Sequence, residues 1–152
     1  VPDLRPILLV EDNPRDLELT LAALAKCQLA NEIVIARDGA EALDYVYARG
    51  PHEGRAAGDP AVILLDLKLP KVDGLEVLEA LKGNSSYRQI PIVMLTSSRE
   101  ERDLVTSYER GVNSFVVKPV DFNAFFEAIE SLGMFWAILN EPPPRGGPPN
   151  EQ

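Results

Sequence analysis

Apolar residues in this chain fall into short, nearly unbroken runs, and the segments between them carry apolar positions at helical spacing. The runs are Ile7–Val10, Glu32–Ala36, Ala61–Leu65, Ile92–Leu95 and Ser114–Val117. Runs such as AVILL and IVML show no polar alternation, as expected of parallel strands covered on both faces. Glu32–Ala36 reads as a shorter strand closer to an edge. The intervening patterns predict helices over Arg15–Gln28, Ala40–Ala48, Gly74–Leu81, Glu100–Arg110 and Asn123–Leu139. Strict alternation of strand and helix predicts an open, doubly wound α/β sheet, because the eight repeats of a closed barrel are not available.

Turn chemistry agrees. Asn13 is placed to cap the first helix, with Pro14 suited to its first turn. Asp38-Gly39 turns the second strand into its helix, Asp121 can cap the last helix, and Gly111 sits where the fourth should stop. Residues 49–60, RGPHEGRAAGDP, form a polar, glycine-rich connection. The domain is expected over residues 7–139, with a short extension at 1–6 and a Pro/Gly-rich tail at 140–152. The last helix carries more apolar surface than one buried stripe needs. Phe122, Phe126, Ile129, Gly133 and Trp136 follow one face, while Phe125, Leu132, Phe135 and Leu139 follow a neighbouring one. The second face is read as a contact between molecules.

Composition narrows the function. The 152 residues, 45% of them hydrophobic, suit one domain with a real core. With 15 basic and 24 acidic residues the formal net charge is -9, which argues against direct binding to nucleic acid or to an anionic membrane. Cys27 is the single cysteine, so no intrachain disulfide or thiolate cluster is available, and its place in LAALAKC suggests a buried thiol. No apolar run reaches membrane-spanning length and VPDLRPILLV does not read as a signal peptide, so a cytoplasmic protein is expected.

The chemistry collects at the strand ends. In an open parallel sheet, ligands gather beyond the C-terminal ends of the strands. The first strand ends in Glu11 and Asp12, the third in Asp66, the fourth in Thr96, and the fifth leads to Lys118. Clustered carboxylates repel unless a cation joins them, and an oxygen-only donor set points to magnesium or manganese and away from zinc. The Lys68 backbone carbonyl, two residues past Asp66, can add a further ligand. A carboxylate attacking an anionic phosphoryl group needs such a metal and a lysine to offset repulsion. Asp66 would become an acyl phosphate, with Thr96 and Lys118 contacting the phosphoryl oxygens.

Each group also has an ordinary reading. Glu11 and Asp12 could be first-turn acids favouring a helix dipole, Asp66 and Thr96 could be caps, and Lys118 a surface lysine. It is their convergence on one chemistry that gives them weight. His52 lies between Pro51 and Glu53 with no evident partner and reads as an exposed loop histidine.

VEDN at 10–13, LLDLKLPKVDG at 64–74, MLTSS at 94–98 and VVKP at 116–119 resemble the receiver domains of two-component response regulators. The resemblance implies a five-stranded sheet of order 2-1-3-4-5 with helices on both faces, a flavodoxin-like fold. It implies an acidic pair at Glu11 and Asp12, phosphorylation on Asp66, and Mg2+ or Mn2+ bound by Glu11, Asp12, Asp66 and the Lys68 carbonyl. It further implies a hydroxyl at Thr96, a lysine at Lys118 followed by a cis bond to Pro119, and a switch aromatic at Phe115. Gly74 should allow a tight turn, and Lys68 and Ser98 occupy positions that modulate access of water. LGMFWAILNEPPP, residues 132–144, is similar to single-domain regulators that partner phytochrome-type sensor histidine kinases. That similarity implies a homodimer through the fifth strand and the last helix, for which the second apolar face offers Phe125, Leu132, Phe135 and Leu139 as contacts. No catalysis on an independent substrate is expected.

Other classes fit less well. A haloacid dehalogenase-like phosphohydrolase should carry a second aspartate two residues after the nucleophile, where this chain has Lys68. A flavodoxin-like electron carrier should show a glycine- and hydroxyl-rich loop after the first strand, where VEDNPRD is acidic. A receiver-like scaffold that is never phosphorylated is the remaining alternative.

Overall fold

The computed structural model describes residues 5–27, 29–56, 58–98, 100–101 and 114–131. Five strands, β1 (Ile7–Val10), β2 (Ile33–Ala36), β3 (Val62–Asp66), β4 (Ile92–Thr96) and β5 (Ser114–Val117), form one parallel sheet of order β2-β1-β3-β4-β5. The topology is the predicted 2-1-3-4-5, and Ile33–Ala36 does lie at an edge. Three helices, α1 (Pro14–Lys26), α2 (Gly39–Tyr47) and α3 (Gly74–Lys82), follow β1, β2 and β3, and a further helix spans Phe122–Ser131.

Alternation along the strands divides the core. Ile7, Leu9, Val62, Leu64, Val93 and Leu95 face Leu17 and Leu24 of α1 and Phe125 and Ile129 of the last described helix. Leu8, Val10, Ile63, Leu65, Ile92 and Met94 face Ala42 and Val46 of α2 and Val77, Leu78 and Leu81 of α3. Both faces of β1, β3 and β4 are buried, which is why their sequences lack polar alternation.

The predicted caps form. Asn13 Oδ1 accepts the Asp16 N–H, Asp38 Oδ1 the Glu41 N–H, and Asp121 Oδ1 the Ala124 N–H. The Lys118-Pro119 bond is cis, as the resemblance implied. No helix among the described residues is long and apolar enough to cross a membrane.

Several expectations are corrected. Phe125, assigned to the outer face of the last helix, is 1% exposed and packs in the core, whereas Phe122, assigned inward, is 37% exposed and stacks on Phe126. Periodicity gives the width of an apolar stripe, but neighbouring elements choose its phase, and here Phe125, Ala128 and Ile129 point at the sheet. His52 is not an isolated exposed residue. It belongs to a 3-10 turn, its ring meets Tyr45 edge-on at 5.2 Å, and its Nε2 lies 3.4 Å from Glu41 Oε2. The polar 49–60 connection is organised by Arg55, whose guanidinium donates to the carbonyls of Tyr45, Val46, Ala56 and Gly58. Cys27 is half-buried just beyond α1, and burial pushes its thiol pKa up. Gly111, most of the predicted helix Glu100–Arg110, Leu132, Phe135, Leu139, Gly133, Trp136 and the 140–152 tail lie outside the described residues.

Candidate functional site

Parallel register brings the predicted residues to one edge of the sheet. Val10 is aligned with Leu65, Asp66 with Leu95, and Thr96 with Val117, so the residues at and just beyond these positions share the C-terminal edge. The Leu67 N–H bonds the Leu95 carbonyl, and the Lys118 N–H bonds the Thr96 carbonyl at 2.7 Å, which carries this order past the strand ends.

Two glycines hold the loop after β3 against that edge. A Cβ on Gly74 would fall 2.5 Å from the Leu67 carbonyl oxygen and closer still to that of Asp66. A Cβ on Gly39 would collide with the backbone of Val72. Gly74 does not adopt positive φ among the described glycines; it is required because backbone passes too close for any side chain, not for the conformational freedom of a turn. Asp73 and Glu76 then close a reciprocal cap on α3.

The carboxylates and the lysine form one cluster. Lys118 Nζ lies 3.2 Å from Asp66 Oδ1, 3.3 Å from Glu11 Oε1 and 2.8 Å from Asp16 Oδ2. Glu11 is fully buried and Asp66 is 5% exposed, while Asp12 lies at the surface. Glu11, Asp12 and Asp66 can each offer an oxygen within 4.8 Å of the others. Three carboxylates with no imidazole or thiolate among them make a donor set that fits a hard divalent cation.

Electrostatics show how crowded the cluster is. Burial, followed by the charge and hydrogen bond of Glu11, pushes the Asp66 pKa up from 3.8 to about 7 against the opposing pull of Lys118. Burial works against the Lys118 charge, but the hydrogen bond to Asp16 and the charges of Asp66 and Glu11 outweigh it and hold the lysine pKa above its ordinary value. One ammonium does not neutralise the surrounding acids, and a divalent cation would relieve the excess.

The hydroxyls divide their work. Ser98 Oγ accepts the Glu101 N–H at 3.2 Å, and Glu101 Oε1 accepts the Ser97 N–H at 2.7 Å, a reciprocal helix-start arrangement. Thr96 is fully buried at the end of β4, and its Oγ1 finds no hydrogen-bond partner among the described residues. A buried hydroxyl left unsatisfied costs about 1–3 kcal/mol, so Thr96 is free for a polar group arriving at the site. Phe115 is half-buried against the core face that contains Met94. The Lys68 side chain points away to Glu101 at 3.4 Å.

Asp16 was missed. Its sequence context, three residues after the cap Asn13, reads as an ordinary first-turn acid, and only the packing of α1 beside the sheet edge brings it to Lys118. No local signal marks a pair separated by 102 residues.

Comparison with known proteins agrees with this geometry. The family model described as "Response regulator receiver domain" matches residues 7–130. The solved bacteriophytochrome response regulator AtBRR is 74% identical, with 92% of this chain and 100% of that one covered and a TM-score of 0.87. The probable methanogenesis regulatory protein FilR2 of Methanothrix harundinacea is 40% identical over 90% of this chain and 86% of its own length. Response regulator Rcp1 of Synechocystis sp. is 38% identical, and its Mn(2+)-bound form covers 88% of this chain and 94% of its own, with a TM-score of 0.70. With a model match across most of its length and these relatives, the chain belongs to the response regulator receiver domain family.

Proposed function

We propose that this protein is a receiver-domain response regulator that takes a phosphoryl group from the histidine of a sensor kinase onto Asp66. The carrying observation is Asp66 itself, buried at the end of β3 between Glu11 and Lys118 and near the unpartnered Thr96 hydroxyl. An Asp66 carboxylate oxygen forms a bond to phosphorus while the P–N bond of the kinase phosphohistidine breaks, and the imidazole leaves with the bonding pair. Glu11, Asp12, Asp66 and the Lys68 carbonyl are the proposed ligands of Mg2+, with Mn2+ an alternative. The bound ion supplies positive charge against repulsion between the carboxylate and the phosphoryl group. Lys118 shares that task, and Thr96 donates its hydroxyl to a phosphoryl oxygen. Phe115 is the proposed ring that repacks when Thr96 moves to the phosphoryl group. The domain turns over no separate substrate.

Likeness to bacteriophytochrome response regulators supports a phytochrome-type kinase as partner. Incubation with Mg2+ and acetyl phosphate is expected to add one phosphoryl group per chain, measured by intact mass, and chelation is expected to prevent it. Full labelling of Asp66→Asn would overturn the site, and no labelling of the wild type would favour the scaffold reading.

Pairing of two copies through β5 and the last helix belongs to the same reading. It is supported by the edge position of β5 and the exposure of Val117 (39%) and Phe122 (37%), with Phe125 removed from the contact set. Sedimentation of the wild type should report a dimer that Val117→Lys weakens, and an unchanged mass distribution would count against this contact.

A further inference from the structure

Asp16 has no part in the phosphotransfer described above, yet it makes the shortest contact to Lys118, 2.8 Å against 3.2 Å for Asp66 and 3.3 Å for Glu11. Its origin is fixed, because its own N–H is held by Asn13 Oδ1 at 3.0 Å in the first turn of α1. An ammonium has three N–H donors, and three carboxylates surround this one. A phosphoryl oxygen arriving at Asp66 must therefore draw on a donor already in use. Glu11 is fully buried, and loss of its partner would strand its charge. The Asp16 side chain is 31% exposed, so water can replace the lysine there at lower cost.

We propose that Asp16 is a positioning residue that holds the Lys118 ammonium partly away from Asp66 and so limits how readily the site accepts an anionic phosphodonor. This inference rests on Asp66 being the phosphoacceptor. An acid serving only the α1 dipole would leave donor acceptance unchanged when neutralised. An acid that competes for Lys118 gives the opposite result: with its charge removed, the full ammonium faces Asp66 and the donor, and one less negative charge opposes the approach.

The full chain, Asp16→Asn and Asp16→Glu are compared in Mg2+ with two donors, acetyl phosphate, a dianion, and phosphoramidate, which carries less net charge. In the acetyl phosphate reaction the Asp66 oxygen bonds to phosphorus and acetate leaves with the bonding pair. Asp16→Asn is expected to lower the half-saturating acetyl phosphate concentration about three- to tenfold, the effect of one screened unit charge a few ångströms from a dianion. The gain with phosphoramidate should be smaller, and Asp16→Glu should return both values towards the wild type. Unchanged or poorer acceptance in Asp16→Asn, or equal gains with both donors, would overturn the role of Asp16 alone. A wild type labelled by neither donor would overturn the Asp66 reading and this role with it.

Discussion

Asp66→Asn, in chelator, is expected to be more stable than the wild type at pH 8 while accepting no phosphoryl group. The folded protein raises the Asp66 pKa from 3.8 to about 7, first through burial and then through Glu11. A carboxyl that binds its proton more tightly when folded contributes stability that is fully present below 3.8 and is lost as the pH rises through about 7. Above that pH the wild type must hold a second carboxylate beside Glu11 in a site with little water. The asparagine keeps the shape, carries no charge and can donate to the Glu11 carboxylate. The advantage at pH 8 should be on the order of 2–4 kcal/mol and should narrow as the pH falls towards 4. Urea unfolding of both proteins at pH 5 and pH 8 measures it. A wild type as stable as the variant at pH 8 would contradict the crowding described for this site. Such a result would also remove the reason for expecting a cation to be welcome there.

Lys118→Met should have the reverse effect on stability. Methionine fills similar volume but leaves buried Glu11 and Asp66, and partly exposed Asp16, without their shared cation. Breaking a buried ion pair from one side costs about 3–5 kcal/mol, with Asp66 protonation absorbing part of it. Labelling by acetyl phosphate should fall by roughly a hundredfold or more, the scale on which a preorganised charge-stabilising group acts. Combining Lys118→Met with Asp66→Asn separates the two effects. The double variant should recover part of the lost stability, because one of the stranded charges is gone, yet remain unlabelled. Strict additivity of the two stability changes would argue against the coupling inferred from the 3.2 Å contact.

The strand ends were legible because parallel strands buried on both faces leave an unmistakable apolar run, and whatever terminates that run sits at the sheet edge. The run endings alone therefore place Glu11, Asp12, Asp66, Thr96 and Lys118 together. Caps at Asn13, Asp38 and Asp121 were legible for a similar reason, since each acts within a few residues of itself.

Features that depend on how elements meet could not be read that way. The apolar residues of the last helix were visible, but only the sheet beneath it decided that Phe125 turns inward and Phe122 outward. His52 gained Tyr45 and Glu41 because Arg55 folds its loop back over α2. Ser98 took the cap and left the Thr96 hydroxyl unpartnered, a division that three consecutive hydroxyl residues do not announce. The sequence alone determined the alternation of strand and helix, the strand order through the family resemblance, and the chemical groups along the sheet edge, because those follow from local burial and turn chemistry. Only the tertiary structure decided which acid holds Lys118 most closely and which face of the last helix is buried, because both depend on the packing of elements distant in the chain.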